Sequence, residues 1–208
     1  PVTVGSVEAD ITCRGQTVEM PPRRIVGIAG CPGSGKSTLA AGLVAAHPDT
    51  HVLVPMDGFH LADEELRRSG RADRKGAPDT FDVDGYVELL ERLRSHPDEP
   101  VSAPRFDRRI EASVPDAITV ERHHTTVITE GNYLLHDEGG WERVRPLLDE
   151  CWYVDCDDEL RIERLVTRHV EHGRTVAAAT AWIRDVDEPN AELIRATRSR
   201  ADVLVDPG

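Results

Sequence analysis

Apolar positions along the chain follow two rhythms. Ile25–Ala29, His51–Pro55, Thr125–Thr129 and Cys151–Val154 are short, nearly continuous apolar runs, and Val203–Val205 is a fifth. Runs that are continuous rather than alternating predict buried parallel strands. Between them the spacing turns helical. Lys36–His47 is amphipathic and stops at Pro48. Val83, Tyr86, Val87 and Leu90 fall at i, i+3, i+4 and i+7, which predicts a helix continuing to about Ser95. Ile162, Leu165, Val166 and His169 mark another helix, which Gly173 ends. Alternating strands and helices predict an α/β layered fold with right-handed crossovers. In such sheets ligands sit beyond the carboxyl ends of the strands.

Residues 1–22 fit neither rhythm. Val2, Val4 and Val7 alternate loosely and Pro21-Pro22 closes the segment, so it reads as an N-terminal decoration. At 208 residues the chain suits one domain, here spanning 23–208.

The residues after the first strand carry the most specific signal. Gly30-Cys31-Pro32-Gly33-Ser34-Gly35-Lys36-Ser37 matches G-x-x-x-x-G-K-[ST]. It follows a predicted strand and opens a predicted helix, the context this phosphate cradle requires. Gly30, Gly33 and Gly35 let backbone N–H groups turn toward a polyphosphate, with Ser34 and Thr38 beside them. Lys36 then reaches the β- and γ-phosphates as a point charge, and the Ser37 hydroxyl is placed for Mg²⁺. A GTPase switch would also need a base-reading N/T-K-x-D, and none occurs.

The second and third strands each end in an acid. Asp57, after His51–Pro55, fits two roles: a base taking a proton from a substrate hydroxyl, or a turn or cap residue ahead of a helix at Asp63. Spacing does not choose between them. Glu130, after Thr125–Thr129, stands where P-loop proteins usually keep a carboxylate for Mg²⁺ or water. Aromatic residues make up only 4% of the chain, yet Phe59, Phe81, Phe106 and Tyr133 all sit in polar loops. They read as walls of a pocket for a small polar substrate, or as anchors of those loops in the core. His60, Arg74, Arg105, Asp107 and Asn132 are the polar substrate-binding candidates beside them.

Charge narrows the partners. With 25 basic and 38 acidic residues the net charge is −13, which argues against nucleic acid or an anionic membrane. No apolar run is long enough for a membrane span, and Pro1 to Asp10 lack the pattern of a secretory signal. Four cysteines without zinc spacing suit a reduced, cytoplasmic setting. Within this anionic chain, Arg161, Arg164 and Arg168 recur at i, i+3 and i+7, with Arg174 just past Gly173. That spacing predicts one cationic helix face ending in a hinge, as a lid over ATP needs, at approximately 161–175.

Taken in order, these motifs resemble the superfamily of uridine kinases, phosphoribulokinases and type I pantothenate kinases. The likeness is to its nucleoside/nucleotide kinase-like branch, often described as fructose-transport-system kinases. It is carried by the P-loop, Pro55-Met56-Asp57-Gly58-Phe59-His60, Lys75 to Asp82, Pro104-Arg105-Phe106-Asp107-Arg108, Glu130-Gly131-Asn132-Tyr133, and Arg164 to Gly173. The resemblance runs from about Ile25 to Val205. It implies a P-loop NTPase fold with a five-stranded parallel sheet flanked by helices and an arginine-bearing lid. It further implies ATP and Mg²⁺, a small-molecule acceptor (sugar, nucleoside or pantothenate-like) and Asp57 as base. Lys36, Arg168 and Arg174 would act on the transferring phosphoryl group, Arg164 on the nucleotide, and Ser37 with Glu130 on the metal. Dimers are common among such proteins, which leaves a homodimer open. The competing reading is a catalytically silent protein that binds nucleotide and regulates.

Overall fold

The computed structural model describes residues 22–207. The decoration expected at 1–22 therefore lies, but for its last residue, outside the described residues. The core is a five-stranded sheet built from β1 (Arg24–Gly30), β2 (His51–Leu53), β5 (Thr126–Glu130), β6 (Glu150–Val154) and β7 (Val203–Val205), in the order β2-β5-β1-β6-β7. Every pairing in it is parallel. These are the five expected strands, with bounds shifted by a residue or two.

Period-two geometry sends the side chains of β1 to opposite faces. Val26 and Ile28 pack with Ala40, Ile128 and Val154 against Leu39 and Leu43 of α1 (Lys36–Ala46). Ile25 and Ala29 face the larger core, which α3 (Val83–Ser95) enters through Tyr86, Val87, Leu90 and Leu93. Asp82 caps α3 by accepting from the Gly85 N–H at 3.0 Å. The remaining helices are α2 (Asp63–Arg68), α4 (Asp158–Glu171), α5 (Val176–Trp182) and α6 (Glu188–Ala196).

The periodicity did not reveal the antiparallel hairpin of β3 (Val101–Asp107) and β4 (Ala112–Val120). It forms a separate two-stranded sheet. It packs on the main body through Val101, Ala103 and Val120 and approaches it closely at Gly58, where a Cβ would lie 2.5 Å from the Pro104 carbonyl oxygen. The Ser113 hydroxyl also donates to the Gly58 carbonyl. The hairpin is thereby held against the loop that carries Asp57.

On α4 the expected faces need correction. Leu165 is buried, but Ile162 is exposed. Arg161 is not on an open cationic face, since only 1% of it is exposed. Its guanidinium donates to Asp158 at 3.0 Å, to Glu188 of α6, and to the Pro32 carbonyl at 3.4 Å. A Cβ on Gly33 would lie 2.7 Å from the Arg161 carbonyl oxygen. Arg161 therefore braces the P-loop from beneath.

Candidate active site

The glycine turn works as the sequence suggests. Gly33 and Gly35 adopt φ of 82° and 99°, conformations that side chains disfavour. Gly35 begins α1 with no side-chain cap, so the first N–H groups of the helix are left for another acceptor. The Ser34 Oγ is buried without a hydrogen-bond partner. Unsatisfied donors in a glycine-turned cradle fit a polyphosphate.

Lys36 is buried and donates to the Cys31 carbonyl at 2.9 Å. Burial pulls its ammonium below the ordinary lysine range, against the opposing charges of Glu130 and Asp57. The Ser37 hydroxyl donates to Glu130 Oε1 at 2.8 Å. Burial and the nearby Asp57 push Glu130 above the usual carboxylate range, and Lys36 opposes them. A hydroxyl and a carboxylate in contact form an all-oxygen donor set suited to Mg²⁺.

Asp57 is the second residue of a short 3-10 turn, Met56–Phe59, after β2 and does not cap a helix. Its carboxylate instead accepts from Arg108 at 3.1 Å, while α2 begins without a side-chain cap. One cavity of about 850 Å³ joins Lys36, Ser37, Asp57, Glu130, Arg164 and Arg168. Gly33, Gly35, Thr38, His60, Phe81, Asn132 and Arg174 also line it. Burial, with the neighbouring Arg108, lowers the Arg168 pKa, while Asp187, Asp57 and Glu130 oppose.

Other expected substrate residues are not on this wall. Phe59 is buried in the core, its ring 5.1 Å from that of Tyr86. Tyr133 is fully buried and donates its hydroxyl to the Gly76 carbonyl at 2.5 Å. Both rings anchor loops. Arg74 is paired with Asp79 at 2.7 Å on the surface. Asp107 is taken up by Arg109 at 2.8 Å, and Arg105 is exposed away from the cavity. Along β3 the ring of Phe106 faces the cavity while its two neighbours do not.

Several lining residues escaped sequence reasoning: Lys75, Arg108, His169, Trp182, Asp187 and Asn190. Arg108 ends the Pro104–Arg108 string of the resemblance, but only the hairpin geometry tells it from Arg105 and Arg109. Asp187 and Asn190 carried no signal. A second cavity of about 600 Å³ lies beside α1, lined by Gly35, Thr38, Leu39, Arg164 and Pro207 among others.

A parallel sheet, a glycine turn and an uncapped helix that opens on Lys36 together define a P-loop nucleotide-binding protein. The chain belongs to the Phosphoribulokinase / Uridine kinase family, whose sequence profile matches residues 25–208. It is 33% identical to the Escherichia coli protein YggC over 196 residues, covering 92% of this chain and 81% of that one. Identity to the uridine kinase of Oceanobacillus iheyensis is 30% over 191 residues, 88% of this chain and 86% of the other. Among solved structures, a candidate fructose transport system kinase from Silicibacter sp. TM1040 superposes with a TM-score of 0.83 at 38% identity. The superposition covers 90% of this chain and 92% of that one. The chain is thus a small-molecule kinase, of a family that implies ATP. Among the described residues no helix is long and apolar enough to cross a membrane.

Proposed function

We propose that this chain transfers the γ-phosphoryl group of ATP, with Mg²⁺, to a hydroxyl of a sugar, nucleoside or pantothenate-like molecule. The observation that supports this is convergence: Lys36, Ser37, Glu130, Asp57 and Arg168 meet in one cavity. Gly33 to Gly35 and the first N–H groups of α1 hold the phosphates, and Lys36 places its charge on them. Ser37 and Glu130 hold Mg²⁺, which when bound neutralises charge on the transferring group. Arg164 and Pro207 line the apolar cavity beside α1, which suits a nucleotide base.

Asp57 accepts the proton of the acceptor hydroxyl as the hydroxyl oxygen bonds to the γ-phosphorus and the bond from that phosphorus to the departing ADP oxygen breaks. The carboxylate is already half-engaged by Arg108, so the acceptor hydroxyl approaches its other side. Arg168 and Arg174, on a lid running from about Arg164 to Arg174, stabilise the charge that develops. His60, Phe81 and Asn132 form the acceptor wall, with Phe106 packed on His60 at 4.7 Å between ring centroids. A cytoplasmic setting belongs to the same reading, supported by free Cys31, Cys151 and Cys156.

The test is ADP release from ATP–Mg²⁺ across sugars, nucleosides, pantothenate and their phosphates. Acceptor-dependent release is expected for one of these classes. Stoichiometric ATP binding with no acceptor-dependent release would instead favour the silent regulatory reading.

A further inference from the structure

Between α5 and α6 the chain makes one π-helical turn, Ile183–Asp187. Its cause is legible in the residues. Pro189, in the first turn of α6, has no N–H to donate to the carbonyl four residues back, and its ring crowds that carbonyl. The helix widens by one residue instead of breaking. The consequence is rotational. In an α-helix, residues five apart point about 140° away from each other. The wider turn brings Trp182 and Asp187 round together, and both line the cavity.

Each of the two holds a different part of the lid. The Arg174 guanidinium lies over the Trp182 ring, 4.1 Å from its centroid. Asp187 Oδ2 is 2.9 Å from His169 Nε2, the residue next to Arg168 in the last turn of α4. Asp187 is also the first of the carboxylates whose charge supports Arg168. Gly173, at φ 90°, and the Thr175 cap of α5 fix the short link that carries Arg174 between the two helices.

We infer that Trp182 and Asp187 are positioning residues for phosphoryl transfer, seating Arg174 and the Arg168 end of α4 over the cavity through the π-helical turn. Neither touches the reacting atoms. Trp182 acts through Arg174, by attraction of the guanidinium to the ring face. Asp187 acts through His169. The inference rests on the reading of Arg168 and Arg174 as the lid charges.

The experiment is a mutant cycle on Trp182 and Arg174. The rate is ADP release at saturating ATP–Mg²⁺, with D-fructose, uridine, pantothenate or water as acceptor, whichever is fastest. Trp182→Leu should lower kcat about tenfold while KM for ATP changes less than about threefold. Trp182→Phe should recover most of that loss, since it keeps a π face, whereas Leu keeps only apolar volume. The double variant Trp182→Leu/Arg174→Ala should be no slower than Arg174→Ala alone, because both changes remove one interaction. Additive losses, or equal rates for the Leu and Phe variants, would overturn the inference. So would a kcat loss matched by a fall in melting temperature in both ring variants. Lys36→Ala serves as control. If it too leaves ADP release unchanged, the kinase reading has failed. If it abolishes release while Trp182→Leu is inert, only the positioning role has failed.

Discussion

At the phosphate end of the cavity, Gly33, Gly35, Lys36 and Ser37 come from one short turn between β1 and α1. At the acceptor end, Asp57 and Arg108 meet across 51 residues of sequence, and Phe81 and Asn132 come from two further loops. The first arrangement is a local property of the backbone. The second exists only once the hairpin has docked on the main body. Substitutions at the phosphate end should therefore act on chemistry and leave the fold alone, whereas the acceptor end mixes the two effects.

The largest effect is expected at the phosphate end. Lys36→Ala should abolish phosphoryl transfer and weaken ATP binding, because it removes the side-chain cation of the cradle. An ATP titration with ADP release checks both. Near-normal turnover would leave the local turn without a role in chemistry, and the comparison would collapse.

Asp57→Asn should reduce the rate by about 10²–10⁴-fold with ATP affinity unchanged and, through the weakened Arg108 pair, a small fall in melting temperature. Asn keeps the size but cannot take the proton. A variant within a few-fold of wild type would make the Arg108 pair purely structural, and the base would have to be sought elsewhere in the cavity.

On α4 the comparison can be drawn within a single helix. Arg168→Ala should lower kcat by about 10² with little change in melting temperature. Arg161→Ala should do the reverse, since it strips a buried cation from Asp158, Glu188 and the Pro32 carbonyl. Loss of those charge-assisted bonds costs about 2 kcal/mol. That corresponds to a melting shift of about 4–8 °C for a chain of this size. Thermal melts and initial rates on the two variants separate them, and a rate loss in Arg161→Ala without a melting shift would return Arg161 to the lid.

What the sequence made legible follows the same division. The sheet could be read because its central strands are largely apolar where they are buried, as at Ile25, Val127 and Cys151, while the edge strands β2 and β7 are apolar although half-buried or exposed. The P-loop could be read because its geometry is written in closely spaced glycines, Gly30, Gly33 and Gly35. The hairpin could not, since β3 has one face on the body and carries Pro104 and Arg105 within it. Arg161 was misplaced because Glu188 lies 27 residues further on. Helical spacing shows which residues share a face, not which of them will find a distant partner. Phe59 and Tyr133 misled for a related reason. Their polar neighbours His60 and Asn132 line the cavity while the rings turn back into the core.

The smallest effects should fall on the outward positions of the hairpin. Arg105 and Asp107 flank Phe106 close to Arg108, yet alternation along β3 turns them away from the cavity. Arg105→Ala and Asp107→Asn should each stay within about threefold of the wild-type rate, as surface changes usually do. Asp107 has a second signature. Hydrogen bonds from Arg109 hold its carboxyl at about 2, below the usual 3.8. A depressed carboxylate contributes stability that is fully present above the unfolded value and is lost as pH falls through the folded one. The melting curves of wild type and Asp107→Asn should therefore differ slightly at pH 5 and converge toward pH 2. Because the Arg109 partner is exposed, added salt should shrink even the pH 5 difference. A tenfold rate loss in either variant would mean that the hairpin presents its other face to the acceptor. The acceptor end would then have to be rebuilt around Arg105 and Asp107 in place of Phe106 and Arg108.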